Sequence, residues 1–408
     1  MDNEVLRKYA ELIVKAGANV QPGQSVVIGA ELDQPEFVEM VVEEAYRAGA
    51  SKVMVEWSHM PITKLGIQYQ SAESLGTVEK WQEEKMKYRV ENLPATIYIE
   101  SDDPDGLNGI DQEKWAKAQQ MRYKVMRPYR DAMENKYQWT IAAVPGKKWA
   151  RKVFPGLSDD EAMAKLWDAI LTCSRALGDP IKNWDEHNED IRARCDYLNA
   201  LELRRLKYKS ANGTDFEVGL MPEALFLGGQ DELPGSGIRF DANIPSEEVF
   251  ITPRKGDCEG IVYSTRPLSY RGVLIENFSI RFENGRAVEV HAEKNEDALK
   301  QMIAMDEGAC MLGECALVPY HSPIRESGIL FYNTLFDENA ACHLALGMGY
   351  TSNIKDFDKY TLEELRAMGV NDSMIHEDFM IGSEDLDITG ITADGSEVAI
   401  FRGGDWAF

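Results

Sequence analysis

Residues 25–57 read SVVIGAELDQPEFVEMVVEEAYRAGASKVMVEW, and this stretch decides the fold of the first half of the chain. SVVIGA, apolar after its opening serine, reads as a buried strand. Asp33 is a good helix cap and Pro35 fits a first helical turn, so a helix is predicted to start there. Gly49 stands where that helix should stop. KVMVEW (52–57) is a second strand. Two strands joined by a helix make a βαβ unit, whose consequence is parallel pairing. The turn after the first strand, GAELDQPEF, lacks G-x-G-x-x-G. It offers no glycine-lined cradle for a pyrophosphate, which argues against a nucleotide-dependent enzyme built on this half.

Upstream, Val5, Leu6, Tyr9, Leu12 and Ile13 have helical spacing, and QPGQ ends that helix. Downstream, strands are expected at ATIYIE (95–100) and YQWTIAAV (137–144), with a helix from about Gln112 to Glu134 between them. Ser158 and Glu161 make a capping box ahead of a helix through about Leu177. Asp179-Pro180 breaks it, and another helical stretch runs to about Arg205. There the pattern changes. LKYKSANGTDFEVGL (206–220) has two short alternating runs around Asn212-Gly213, a strong hairpin signal. EVFITP, GIVYS and VLIENFSIRFENGRAVEVHAE continue as β to about residue 295, with a second hairpin turn in FENGR. Helices are expected near 296–305, 337–346 and 361–368, and β hairpins in the final 30 residues. The expected fold class is therefore α/β and α+β. An N-terminal α/β domain with a mostly parallel sheet covers 1–205. A C-terminal mixed domain rich in antiparallel β covers 206–408.

The 408 residues are 44% apolar and 28% charged, a soluble globular mix that excludes global disorder. No apolar run approaches the roughly 18 residues of a membrane span. Lysine plus arginine number 44 against 69 aspartate plus glutamate, a net charge of −25. So acidic a chain repels nucleic acid and anionic lipid and attracts cations, either metals or positively charged substrates. The six cysteines include no C-x-x-C pair, and MDNEVLRKYAELIVKAG has no basic region followed by an apolar one. Reduced thiols and a cytoplasmic location are expected.

Histidine is scarce, with six in the chain, and two have carboxylates at useful spacings. In HEDFMIG, His376 and Asp378 would share one face of a strand while Glu377 faces away. Imidazole nitrogen plus carboxylate oxygen suits zinc, cobalt or manganese. His343 lies in FDENAACHLALGMGY, read as a short buried helix capped by Asp337 or Asn339. A buried histidine needs partners for its ring nitrogens. The glycines of GMGY would break that helix and bring Tyr350 into close reach. In NIPSEEVFITP, Glu247 and Glu248 must point to opposite sides if the segment is extended. Glu314 is the one charge in MLGECALVP. Either it lies on an exposed turn at Gly313, or it is buried and must meet a cation or shift its pKa.

NIPSEEVFITP, GECALVP, FDENAACHLALGMGY and HEDFMIG, in this order and spacing, together resemble the M29 family of metallo-aminopeptidases, the thermophilic aminopeptidase family. GTDFEVGL and PGKKWARKVFPG match as well, so the resemblance spans the whole chain. It implies a site of two divalent ions (zinc, cobalt or manganese) held by Glu248, Glu314, Glu338, His343, His376 and Asp378. Glu314 would be shared between the ions, and Glu247 is the weaker member of its pair. Tyr350 resembles the family's catalytic tyrosine, with Glu314 and then Glu248 as candidates for moving the proton. Two such ions roughly 3.5–4 Å apart activate a water and stabilise both reacting oxygens. The implied function is removal of N-terminal residues from short peptides by a cytoplasmic homodimer. A non-catalytic metal- or peptide-binding protein would need neither Tyr350 nor Glu314.

Overall fold

A computed structural model describes residues 2–408. The chain forms two compact units. One runs to His187 and takes in Gln230–Pro245; the other comprises Asn188–Gly229 and Ser246–Phe408. Among the described residues no helix is long and apolar enough to cross a membrane. All six cysteines are buried free thiols.

The first unit is built on a five-stranded sheet in the order Lys52–Ser58, Ser25–Glu31, Ala95–Glu100, Trp139–Ala143, Asn243–Ile244. Every neighbouring pair is parallel, as the βαβ reading required. Ser25–Glu31 lies inside the sheet and buries Val26, Val27 and Ile28, whereas the edge strand Lys52–Ser58 stays partly exposed. The helix Pro35–Arg47 buries Phe37, Val38, Val41 and Ala45, a stripe at helical spacing. Gly49 leaves it at φ 100°, a left-handed exit that glycine makes at no steric cost. The cap itself differs from expectation. Gln34 occupies that position but its side chain donates to the Pro145 carbonyl (2.9 Å) and does not cap the helix, and Asp33 instead accepts from Ser101 Oγ (3.3 Å), at the end of a nearby strand.

The second unit holds a nine-stranded antiparallel sheet and a smaller four-stranded one. Leu203–Lys209 and Asp215–Leu220 form the first expected hairpin. Val273–Glu283 and Arg286–Lys294 form the second, turning through Asn284 and Gly285, both at positive φ. The small sheet runs Val249–Ile251, Leu312–Leu317, His343–Gly347, His376–Met380, all antiparallel. This corrects the expected helix over 337–346. A helical turn Thr334–Asp337 passes into a 3-10 turn Glu338–Ala340, and His343 then opens a strand. All five residues of that strand are buried. A short strand buried on both faces has no alternation, so its apolar run reads equally as a buried helix.

Pairing register separates two faces of the small sheet. Ile251, Cys315, Leu344 and Phe379 lie in one row. Phe379 packs against Phe278 of the large sheet with ring centres 5.9 Å apart. The opposite face carries the rows Phe250–Ala316–His343–Met380, Glu314–Ala345–Asp378 and Gly347–His376. One face is therefore core, and the other is free for chemistry.

Candidate metal centre

Glu314 is 3% exposed and lies within a fully buried strand, so the exposed turn at Gly313 does not occur. Across the sheet it shares a row with Asp378, and Ala345 lies between them. Ala345 contributes only a methyl group, which leaves room above it for both carboxylates to converge. His376 stands two residues before Asp378 on the same face, as the strand period requires. Its Nε2 is 3.0 Å from Glu314 Oε2 and 3.5 Å from Asp378 Oδ1. His343 Nε2 is 3.1 Å from Glu248 Oε2 and 4.0 Å from Asp378 Oδ1.

Both imidazoles are oriented from behind. His376 Nδ1 lies 2.7 Å from the Met348 carbonyl oxygen. His343 Nδ1 lies 2.9 Å from the Glu338 carbonyl and 3.1 Å from that of Ala341. A carbonyl oxygen only accepts, so each Nδ1 carries its proton and donates. Each Nε2 is thereby turned toward the carboxylates, the arrangement that fixes the tautomer of a metal-binding histidine.

The donor atoms form two groups. Glu248, Glu314 and His343 make one; Glu314, His376 and Asp378 make the other; within each, the atoms lie within 4.8 Å of one another. Glu314 is common to both. Glu338 joins neither triad, but its buried carboxyl is a hydrogen-bond neighbour of Asp378. Glu247 supplies no atom to either group; its backbone N–H donates to Asn339 Oδ1 at 2.7 Å.

Glu248, Glu314, Glu338 and Asp378 are all buried, against two imidazoles. Negative charge is in excess even with both rings protonated. Burial, reinforced by Glu248 and Asp378, lifts Glu314 to about 7 although His376 opposes it. Burial and the charges of Asp378, Glu248 and Glu314 push Glu338 up too. Burial would lower His343, but the hydrogen bond and charge of Glu248 overcome it and raise the ring to about 9. Burial would raise Asp378, yet the charge of His376, with Nε2 3.5 Å from Oδ1, holds it at about 2. Asp378 Oδ1 nevertheless makes no hydrogen bond in its buried position. An orphaned carboxylate oxygen, surplus negative charge and a mixed nitrogen–oxygen donor set all fit divalent cations of the zinc, cobalt or manganese type.

The Tyr350 hydroxyl reaches the same point, 3.2 Å from His376 Nε2. Burial first, and then the surrounding carboxylates, raise its pKa well above the ordinary phenol value, so it keeps its proton.

Sequence reasoning missed the neutral residues that frame the centre. Asn339 is fully buried and no helix cap. Its Nδ2 donates to Leu335 O (3.0 Å) and Glu338 Oε1 (3.3 Å) while Oδ1 takes the Glu247 N–H, which ties two carboxylate-bearing segments together. Asn371 Nδ2 lies 2.9 and 2.6 Å from the carbonyls of Gly308 and Gly347, pinning the loops behind His376. Asp337 pairs with Arg266 in the interior instead of capping a helix. Only a buried polar residue beside an apolar run could have signalled these roles.

The family model described as thermophilic metalloprotease (M29) matches residues 2–406. Aminopeptidase AmpS of Bacillus subtilis is 43% identical over 408 residues, covering 100% of this chain and 99% of the relative. Aminopeptidase 2 of Geobacillus stearothermophilus is 42% identical, covering 99% and 98%. The solved structure of wild-type AmpT from Thermus thermophilus superposes with a TM-score of 0.89 at 37% identity, covering 99% of each chain.

Proposed function

The chain belongs to the thermophilic metalloprotease (M29) family, and from that premise we propose that it is an aminopeptidase working at a two-ion centre. The observation that carries this reading is the pair of buried donor triads sharing Glu314, with both Nε2 atoms aimed into them. Glu248, Glu314, Glu338, His343, His376 and Asp378 would hold the ions, of zinc, cobalt or manganese. When bound, divalent ions supply Lewis acidity and a water acidified toward neutral pH.

The remaining roles belong to the chain's own side chains. Tyr350 keeps its O–H and points it into the centre, where it donates to the oxyanion that develops on the substrate carbonyl. Glu314, or failing it Glu248, takes a proton from the attacking water and passes it to the amine that leaves as the C–N bond breaks. The acidic surroundings of a chain with net charge −25 attract the free α-amine of a substrate, which confines cleavage to N-termini. Short peptides in the cytoplasm are the substrates that complete this reading, with a homodimer as the working form.

Hydrolysis of leucine p-nitroanilide tests it, alongside the same compound with its amine acetylated. Protein stripped by chelator is resupplied with zinc, cobalt or manganese. Activity should return with metal and only on the free amine. Cleavage of the acetylated compound would exclude an aminopeptidase. Two bound ions per chain without turnover would favour a binding protein.

A further inference from the structure

Tyr350 follows Gly347-Met348-Gly349, and Gly347 sits at φ 105°. Such a segment has little stiffness of its own to fix where the phenol points. Backbone bonds hold the three residues themselves, from Gly347 N–H to Met311 O (2.8 Å), Met348 N–H to Ile375 O (2.7 Å) and Gly349 N–H to Asn371 O (3.0 Å), and one side chain then holds the backbone of the tyrosine that follows. The Tyr350 N–H donates to Thr252 Oγ1 at 2.9 Å. That hydroxyl lies 3.0 Å from the Tyr350 carbonyl oxygen and 3.2 Å from Asn353 Oδ1, and donates to one of them. Asn353 is anchored in turn, its Nδ2 donating to the Leu225 carbonyl at 2.9 Å. Thr252 and Asn353 are both fully buried.

The methyl of Thr252 contributes as well. A Cβ at position 349 would stand 2.8 Å from Thr252 Cγ2, so this methyl is the wall against which Gly349 lies. Thr252 also ends a run that begins at Glu248 and passes through Phe250, whose ring meets that of Tyr350 edge-on at 5.5 Å. One short segment thus brings a carboxylate to the centre at one end and holds the tyrosine at the other.

We infer that Thr252 is the positioning residue for Tyr350, its hydroxyl fixing the backbone from which the phenol reaches the substrate oxyanion. The inference rests on the proposed role of Tyr350 as an O–H donor. A donor must sit close to its working geometry, and a misplacement of about 1 Å can cost about 100-fold in rate.

The test compares Thr252→Val, Thr252→Ser, Tyr350→Phe and the double variant Thr252→Val/Tyr350→Phe. Each is loaded with cobalt and assayed on leucine p-nitroanilide, with turnover expressed per cobalt-loaded chain so that unfolded protein does not imitate a loss. Thr252→Val keeps the shape and removes the hydroxyl. It should lower kcat by about 10- to 100-fold, with KM and cobalt content near wild type. Thr252→Ser keeps the hydroxyl and should recover kcat to within about threefold. In the Tyr350→Phe background, Thr252→Val should lower kcat no further, because nothing is left to position. A purely structural role would lower kcat equally in both backgrounds. That result, or an undiminished Thr252→Val beside an impaired Tyr350→Phe, overturns the inference alone. Wild-type turnover in Tyr350→Phe overturns the role of Tyr350 itself, and the inference falls with it.

Discussion

Arg266→Met should destabilise the protein by an amount that grows with pH. Arg266 Nη2 lies 3.3 Å from Asp337 Oδ1, with side chains 8% and 6% exposed, and it also donates to the Ile329 carbonyl at 2.7 Å. Two unit charges at that separation attract by about 5 kcal/mol at an effective dielectric of about 20. Removing one partner of a buried pair costs about 3–5 kcal/mol. The N–H groups of Phe331 (2.9 Å) and Asn333 (3.2 Å) still serve the Asp337 carboxylate. The loss should therefore fall at the lower end, about 3 kcal/mol with the carboxylate charged. Burial lifts Asp337 to about 6 even though Arg266 opposes it. This folded value lies above the roughly 3.9 of an unfolded aspartate, so ionisation lowers stability as pH rises from about 4 to 6. Without the guanidinium the folded value climbs further. The variant then goes on losing about 1.4 kcal/mol per pH unit above pH 6, where the wild type has levelled off. Urea denaturation of the metal-stripped proteins at about pH 5.5 and 8.5 measures the difference. The expected deficit is about 1 kcal/mol at the lower pH, from the lost Ile329 hydrogen bond, and about 3 kcal/mol at the higher. A deficit of the same size at both would refute the reasoning, because charge would then not be what Arg266 contributes.

Three perturbations probe the centre itself. Tyr350→Phe should retain its metal content and lose about 100- to 1000-fold in kcat, the usual cost of one oxyanion donor; turnover near wild type would remove it from that role. Glu314→Gln keeps the size of the side chain but not its charge, and it should lose metal as well as activity. A fully loaded, active variant would sink the shared position of Glu314. Ala345→Leu would fill the space between Glu314 and Asp378, lowering stability by about 1–3 kcal/mol and reducing metal content. Unchanged metal content would mean that the ligand atoms converge elsewhere.

Where residues repeat with a clear period, the sequence was readable. The strands around Pro35–Arg47, the Ser158–Glu161 capping box and the hairpin at Asn284-Gly285 all stand where local chemistry put them. The metal-type side chains stood out as a set only through the family resemblance: the scarce histidines with carboxylate neighbours and the lone charge in MLGECALVP pointed locally to a cation but left other readings open. What could not be read was the state of AACHLAL, because a strand enclosed on both faces carries no period-2 signal. Asn339, Asn371 and Thr252 were silent for a related reason. A neutral amide or hydroxyl acts through backbone groups distant in sequence, such as Glu247 N, Gly308 O and Tyr350 N, and leaves no local pattern.

The small sheet explains how so much charge survives in the interior. Metal-free, the surplus of carboxylates is unfavourable, as the raised pKa values of Glu314 and Glu338 record. Stability must come from the opposite side of the same strands, where Ile251, Cys315, Leu344 and Phe379 are at most 1% exposed. The period-2 alternation of His376–Met380 divides the work, with His376 and Asp378 toward the centre and Phe379 toward Phe278. A slip of one residue would bring Glu377 and Phe379 over the ligand atoms and press Asp378 against the large sheet. Core and centre would be lost in the same step, so the apolar packing that stabilises the sheet also enforces the register of the ligands.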